Sequence, residues 1–411
     1  MQVAIHTPVR KARVVIILNR LVIGGPAVDT IPLASHLLPH FDILLLYGEK
    51  EKDEMEATFL LKQYPDLQLK KIVHLKRSVH PFRDLLAFFR ILQIIHSFKP
   101  DIVHTHGAKS GFLGRIAAAM ARVPVIIHTF HGHFFHSYFS KAGSRLTTMV
   151  ETWLGKITTS AIALSNVQKN ELVEHYKILP AAKVKTIHLG FEVDSNKDFV
   201  ELRARFRNKY GLKERDVAVG VVGRIVAVKN HQLFVNVIEQ LMKAPTHHPV
   251  AFFIVGDGEL RKQLEKNLQQ KNISFNDHSI NKDNRVVFTS WITEMDEVMS
   301  GLDVIALSSL NEGTPLSIIE AQYFRKPVVC TNVGGIKDTV LDGKSGFLVN
   351  RNDPNAFTDR LRLLIDGQHL RQEMGEEGFQ FVSTKFSKQG EIDATKDFYH
   401  FLLHQKGRSL L

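Results

Sequence analysis

The chain has 411 residues, 44% of them apolar and 23% charged, the composition of a globular protein with material for two cores, since a single core stops growing near about 250–300 residues. Its one cysteine, Cys330, excludes an internal disulfide framework and fits a reducing compartment. The net charge of +11 falls wholly on the first half, where residues 1–190 carry 24 Lys and Arg against 13 Asp and Glu while residues 191–411 carry 29 of each; an anionic partner is expected there, but no interleaving of aromatic and basic residues marks a nucleic-acid module.

In chain order, the first apolar run, Val14 to Leu18, is too short for a signal peptide and far too short to span a bilayer. No other segment reaches 18 uninterrupted apolar residues, so a cytoplasmic protein is expected. Near-continuous β-branched runs lie at 14–18, 42–47, 101–106, 123–130 and 160–165, and again at 217–223, 250–256, 285–290, 303–309 and 327–332. Such runs, separated by helical patterns, mean parallel sheets buried on both faces. Two sets mean an α/β protein of two doubly wound, Rossmann-like domains, expected at 1–190 and 191–395. Gly190 and the 191–199 linker are the expected hinge. The tail has helical apolar spacing and no strand after it, so residues 396–411 are expected to return as a helix to the N-terminal domain. Ligands of such domains bind outside the carboxyl ends of the strands, which directs attention to the cleft where the two domains would face each other.

Each candidate motif falls just after an expected strand. Gly24 and Gly25, in "LVIGGPAVDT", let backbone approach a ligand closely, without the G-x-G-x-x-G fingerprint expected of a nicotinamide dehydrogenase. The segment 81–99, "PFRDLLAFFRILQIIHSFK", is apolar on more than one face and carries Arg83, Arg90 and Lys99. It reads as a helix packed on the sheet or as one lying on an anionic membrane surface. Residues 128–136, "HTFHGHFFH", hold four histidines, but no carboxylate lies between Asp101 and Glu151 and no familiar zinc spacing is present. No metal is therefore expected. Lys109, Arg115, Arg122, Lys141 and Arg145 instead make an anion-facing wall. His131 is expected at the carboxyl edge of its strand, facing the cleft, and His128 inside the strand as a core residue. Lys109, His133 and Lys141, with the aromatic-basic loop 132–143, are candidates for the acceptor side.

In the second half, Arg224 and Lys229 of "GRIVAVKN" lie where a strand hands over to a helix and suit a diphosphate that gains charge as its ester bond breaks. Gly256 and Asp257, in "VGDGELRKQLE", form a loop that could cradle a nucleoside. The strongest signal is "NEGTPLSIIEA", residues 311–321. Thr314 is the expected N-cap, with Pro315 at the first helical position, and the free N–H groups of that turn form an anion site. Glu312 precedes the helix and Glu320 lies eight residues on. Carboxylates at that spacing can accept paired hydrogen bonds from the vicinal hydroxyls of a sugar and a ribose.

Taken together, "EGTPLSIIEA", the Arg224/Lys229 pair, "GGP" in the first loop and "HG" at 131–132 resemble the family-4 retaining glycosyltransferases of the GT-B fold, in the right order over nearly the whole chain. "DIVHTHGAKSGFLGRIAA" and "TNVGGIKDTVLDGKSGFLV" are similar to that family's segments too. The resemblance implies that Glu320 takes the ribose hydroxyls and Glu312 those of the donor sugar. The backbone from Gly313 through Thr314 and Pro315 to Leu316 would meet sugar and phosphate. Arg224 and Lys229 would hold the diphosphate, and His131 would contact the donor sugar. The chain departs from the family at "IHLGFEVD", where Asn-Gly-Val-Asp is usual. No carboxylate pair suited to a double displacement, about 5–5.5 Å apart, is evident near His131, which fits an acceptor attacking from the face of the departing phosphate. The expected function is hexosyl transfer from a nucleotide-sugar, UDP-sugar favoured, to a glycan or polyprenyl-diphosphate-linked acceptor in cell-envelope or exopolysaccharide synthesis. The expected place is the inner face of the plasma membrane, with no cofactor. A sugar-nucleotide epimerase of the same fold, or a non-catalytic sugar-nucleotide-binding protein, is the alternative.

Overall fold

The computed structural model describes residues 10–51, 54–132, 141–194, 196–244, 246–281 and 284–407. The chain forms two compact units, Met1–Gly190 with Lys388–Leu411, and Phe191–Ser387. The return to the first unit begins at Lys388, not at 396, because one continuous helix runs Lys388–Gln405.

The first unit is built on seven parallel strands: β1 (Ala12–Leu18), β2 (Phe41–Tyr47), β3 (Gln68–Lys71), β4 (Ile102–His106), β5 (Val125–Phe130), β6 (Ser160–Ala163) and β7 (Val184–Thr186). Their order is β3-β2-β1-β4-β5-β6-β7, with Val14 registered on Ile43 and on Ile102. On one face Val15, Ile17 and Val103 meet Ala87, Ile91 and Ile94 of the helix Pro81–Phe98, and Leu113 and Ala117 of the helix Ala108–Met120. Each such aliphatic side chain contributes about 1.5–3 kcal/mol by leaving water. The C-terminal helix joins this unit through Tyr399, which is fully buried against Phe41 and shares a 2.6 Å hydrogen bond between its hydroxyl and His104 Nδ1. At the helix start, buried Lys388 pairs with Glu391 at 2.6 Å and Asp29 at 3.4 Å.

The second unit repeats the plan with β8 (Val217–Val222), β9 (Val250–Val255), β10 (Phe275–Asn276), β11 (Val286–Ser290), β12 (Val304–Leu307), β13 (Val328–Thr331) and β14 (Gly346–Val349), ordered β10-β11-β9-β8-β12-β13-β14. Alternate residues of β8 enter different cores: Val217, Val219 and Val221 one, Ala218 and Val222 the other. A strand buried on both faces has no polar position, which is why its sequence is continuous hydrophobe. Asp198 caps the helix Phe199–Lys209, accepting from the N–H groups of Val200 and Glu201.

Candidate active site

In each sheet the chain reverses its direction of growth once, between β1 and β4 and between β8 and β12. The loops beyond the carboxyl ends of such neighbouring strands are where doubly wound sheets bind ligands. In the second unit those loops carry "GRIVAVKN" and "SSLNEGTP". Leu310 N–H donates to Val228 O at 2.8 Å, and Ser308 Oγ to Lys229 O at 3.0 Å. Lys229 Nζ and Ser309 Oγ both donate to Glu312 Oε1, each at 2.6 Å. A cation and a carboxylate distant in sequence thus stand side by side, with Arg224 half-buried in the same loop.

Thr314 does not cap the following helix. That helix runs Leu316–Tyr323 with Pro315 at the N-cap and no side-chain cap, one residue later than expected. The N-terminal turn of such a helix offers backbone N–H groups that can face an anion. Gly313 and Thr314 are buried just before it. Glu320 lies on the inner part of the helix, buried, and its carboxylate makes no hydrogen bond to any described residue. Burial, with a smaller push from Asp296, raises its carboxyl to about 7.

The loop after β9 is fitted to the loop after β8. Gly256 has φ +128°, and a Cβ there would lie 2.2 Å from Gly223 O, so only glycine allows the approach. Ile225 N–H donates to Asp257 O at 2.9 Å. The Asp257 carboxylate is occupied within the protein, accepting from Gly258 N–H at 2.7 Å, Ser290 Oγ at 2.8 Å and Arg261 Nη1 at 3.0 Å. Sequence reasoning passed over Gly334, where φ is +53° and a Cβ would lie 2.0 Å from Glu312 O. Gly335 N–H donates to that oxygen at 3.0 Å. The "VGG" after an expected strand was the available signal.

In the first unit, β4 and β5 place four histidines together. His128 is buried in β5 and shares a 2.9 Å hydrogen bond with Thr105 Oγ1. His104 Nε2 lies 2.7 Å from Thr129 Oγ1. His131 follows β5, half-buried, with Nε2 2.7 Å from His106 Nδ1. Burial lowers His131 to about 4, against an opposing pull from Asp29, and His104 to about 3. It also holds His106 and His128 well below the usual range. All four are neutral imidazoles at physiological pH. Among the described residues no group of three or more His, Cys, Asp or Glu could hold a metal ion. Gly24 is extended and Gly25 opens the helix Gly25–Leu37; a Cβ at either would meet nothing within 4 Å, so the space beside them is open.

The anion-facing wall needs correction. Arg115 is fully buried and gripped by both oxygens of Glu151, at 2.9 and 2.7 Å; the helix Lys141–Ile157 brings that carboxylate across. Lys109 pairs with Asp84 at 2.6 Å and donates to Ser78 O, so its charge is answered internally. His133, the side chain of Lys141 and most of the 132–143 loop lie outside the described residues.

Residues 24–195 match the model of Glycosyltransferase Family 4 and residues 203–381 that of Glycosyl transferases group 1. The chain belongs to the glycosyltransferases that join these two domains. The glycosyltransferase is 29% identical over 323 residues, 79% of its length and 81% of the relative's, to the UDP-Gal:alpha-D-GlcNAc-diphosphoundecaprenol alpha-1,3-galactosyltransferase of Escherichia coli. It is 26% identical over 364 residues, 85% and 89% of the two lengths, to the capsular polysaccharide biosynthesis glycosyltransferase CapM of Staphylococcus aureus. Its fold is GT-B: the Anabaena Alr3699/HepE structure in complex with UDP and glucose superposes with a TM-score of 0.76 at 18% identity, over 95% of this chain and 100% of that one.

Proposed function

We propose that this glycosyltransferase moves a hexosyl unit from a UDP-sugar to a glycan or polyprenyl-diphosphate-linked acceptor, with retention at the anomeric carbon and without a metal. The observation that carries the donor half is the buried, unpartnered Glu320 on the helix that begins beside Lys229 and Glu312. An isolated buried carboxyl is costly; a ribose diol offers the two hydroxyl donors it lacks. The Lys229–Glu312 pair then offers a cation to the diphosphate, and Glu312 Oε2, which bonds no described residue, to a sugar hydroxyl. As the bond from C1 to the diphosphate oxygen breaks, charge grows on the leaving group, where Arg224, Lys229 and the first-turn amides of Leu316–Tyr323 stabilise it. The acceptor oxygen bonds to C1 on the same face and its proton passes to the leaving phosphate. His131, a neutral imidazole, is assigned to the donor sugar as a hydrogen-bonding group and not as a nucleophile, as the family resemblance implies. The choice of UDP and of a lipid-linked acceptor is supported by the Escherichia coli relative's name and by the UDP in the Anabaena protein.

An anionic membrane surface is proposed as the second partner. On the helix Pro81–Phe98, Phe82, Leu85, Leu86 and Phe89 recur at one helical face and are 42–67% exposed, with Arg83 and Arg90 exposed beside them. No helix among the described residues is long and apolar enough to cross a membrane, so attachment would be peripheral.

A thermal-shift screen of UDP-, GDP- and ADP-hexoses tests the donor assignment. At 100 times its dissociation constant the true donor stabilises by about 2.7 kcal/mol, and UDP-sugars are expected to lead. Product incubated with acceptor should carry an α-anomeric signal by NMR from an α-linked donor; conversion of donor alone to its epimer would indicate an epimerase instead.

A further inference from the structure

The contact between His106 and His131 fixes more than their separation. Their facing nitrogens, Nδ1 and Nε2, are 2.7 Å apart. With both rings neutral, a single proton lies between them. If His131 supplies it, His106 keeps its own proton on Nε2, an atom fully buried with no hydrogen-bond partner among the described residues. The nearest ring, His104, lies 4.2 Å away by centroids at 38°, and both its nitrogens are engaged by Tyr399 and Thr129. A buried N–H with no acceptor is rarer and costlier than an idle acceptor. If His106 supplies the proton from Nδ1, that cost disappears; Thr30 Oγ1, 3.3 Å from the same nitrogen, can accept or donate and is compatible with either form.

We propose that His106 is a positioning residue that holds His131 in its Nδ1–H tautomer, so that His131 presents a donor, and no lone pair, to a sugar oxygen. His131 Nδ1 bonds no described residue. It can then hydrogen-bond a hydroxyl of the donor sugar but cannot accept a proton from the acceptor, which fits proton transfer to the leaving phosphate. The functional half of this inference rests on the placing of His131 at the donor sugar; the tautomer does not. Free imidazole side chains favour the other tautomer, so the arrangement is one the fold must impose through His106.

Long-range 15N–1H NMR of the full chain labelled at histidine nitrogens, with His131 assigned by its loss in His131→Gln, reads the tautomer directly. The wild type should show His131 protonated on Nδ1 with a bare Nε2. His106→Asn, whose amide can still donate to His131, should keep that form. His106→Leu should shift His131 toward the Nε2–H form and lower kcat about 10–100-fold, the scale of losing an orienting partner, with donor KM little changed. An Nε2–H His131 in the wild type, or a tautomer unmoved in His106→Leu, would overturn the inference. Should the tautomer follow His106 while His131→Gln transfers at the wild-type rate, the link between the rings stands and the assignment of His131 to the donor sugar falls.

Discussion

The Glu320 carboxyl, raised to about 7 by burial, makes the empty protein sensitive to pH in a definite direction. Its unfolded value is about 4.3. Between the two values the folded chain binds more protons than the unfolded one, so its stability is full below about pH 4.3 and declines as pH rises toward 7. Glu320→Gln should therefore be more stable than the wild type at pH 8, by at most about 3–4 kcal/mol, with the gain vanishing at pH 4. The same variant should lose donor affinity. Thermal denaturation at the two pH values checks the first part; a variant less stable at pH 8 would contradict it. Glu312, Glu320, Arg224 and Lys229 stand out in the sequence by their positions just after strand ends, and the fold brings Lys229 against Glu312. What could not be read was which charges answer one another. Arg115 and Lys109 look like surface cations until Glu151 and Asp84 are brought to them by helices elsewhere. Asp257 looks free until Arg261 and Ser290 arrive.

At the scale of elements, ten strands were anticipated and four were not: Gln68–Lys71, Val184–Thr186, Phe275–Asn276 and Gly346–Val349. All four are sheet edges. An edge strand is covered on fewer sides, so charged or short segments such as "QLKK" and "VKT" suffice and no apolar run announces them. Helices raise the converse problem, since an apolar face can meet the core or the outside. The helix Pro81–Phe98 does both, and its outer stripe yields a test. Phe82→Asp with Phe89→Asp should leave folding intact and weaken binding to vesicles rich in anionic lipid, read by co-sedimentation. Equal binding of the wild type to neutral vesicles would remove the electrostatic part of the proposal. The helix Lys141–Ile157 offers a stability test through its buried ion pair. Glu151→Ala leaves Arg115 buried and unanswered and should cost about 3–5 kcal/mol by urea unfolding; a loss under about 1 kcal/mol would mean the pair behaves as if exposed.

For the whole molecule, the charge asymmetry and the paired α/β units were visible from composition and periodicity alone, whereas the point at which the chain returns to its first unit was not. Lys388, Glu391 and Asp29 hold that point together, and no local signal in the sequence shows that a lysine will be buried between two acids 359 and three residues away. In the proposed mechanism the leaving diphosphate is neutralised by Arg224, Lys229 and backbone amides instead of a metal ion. This is tested most directly by kcat at saturating UDP-sugar in the presence of EDTA, for the wild type and for Arg224→Ala. The wild-type rate should be untouched by the chelator and the variant slowed about 10²–10³-fold, the loss of one group that stabilises developing charge. A wild type silenced by EDTA and restored by magnesium, or a variant as fast as the wild type, would contradict it.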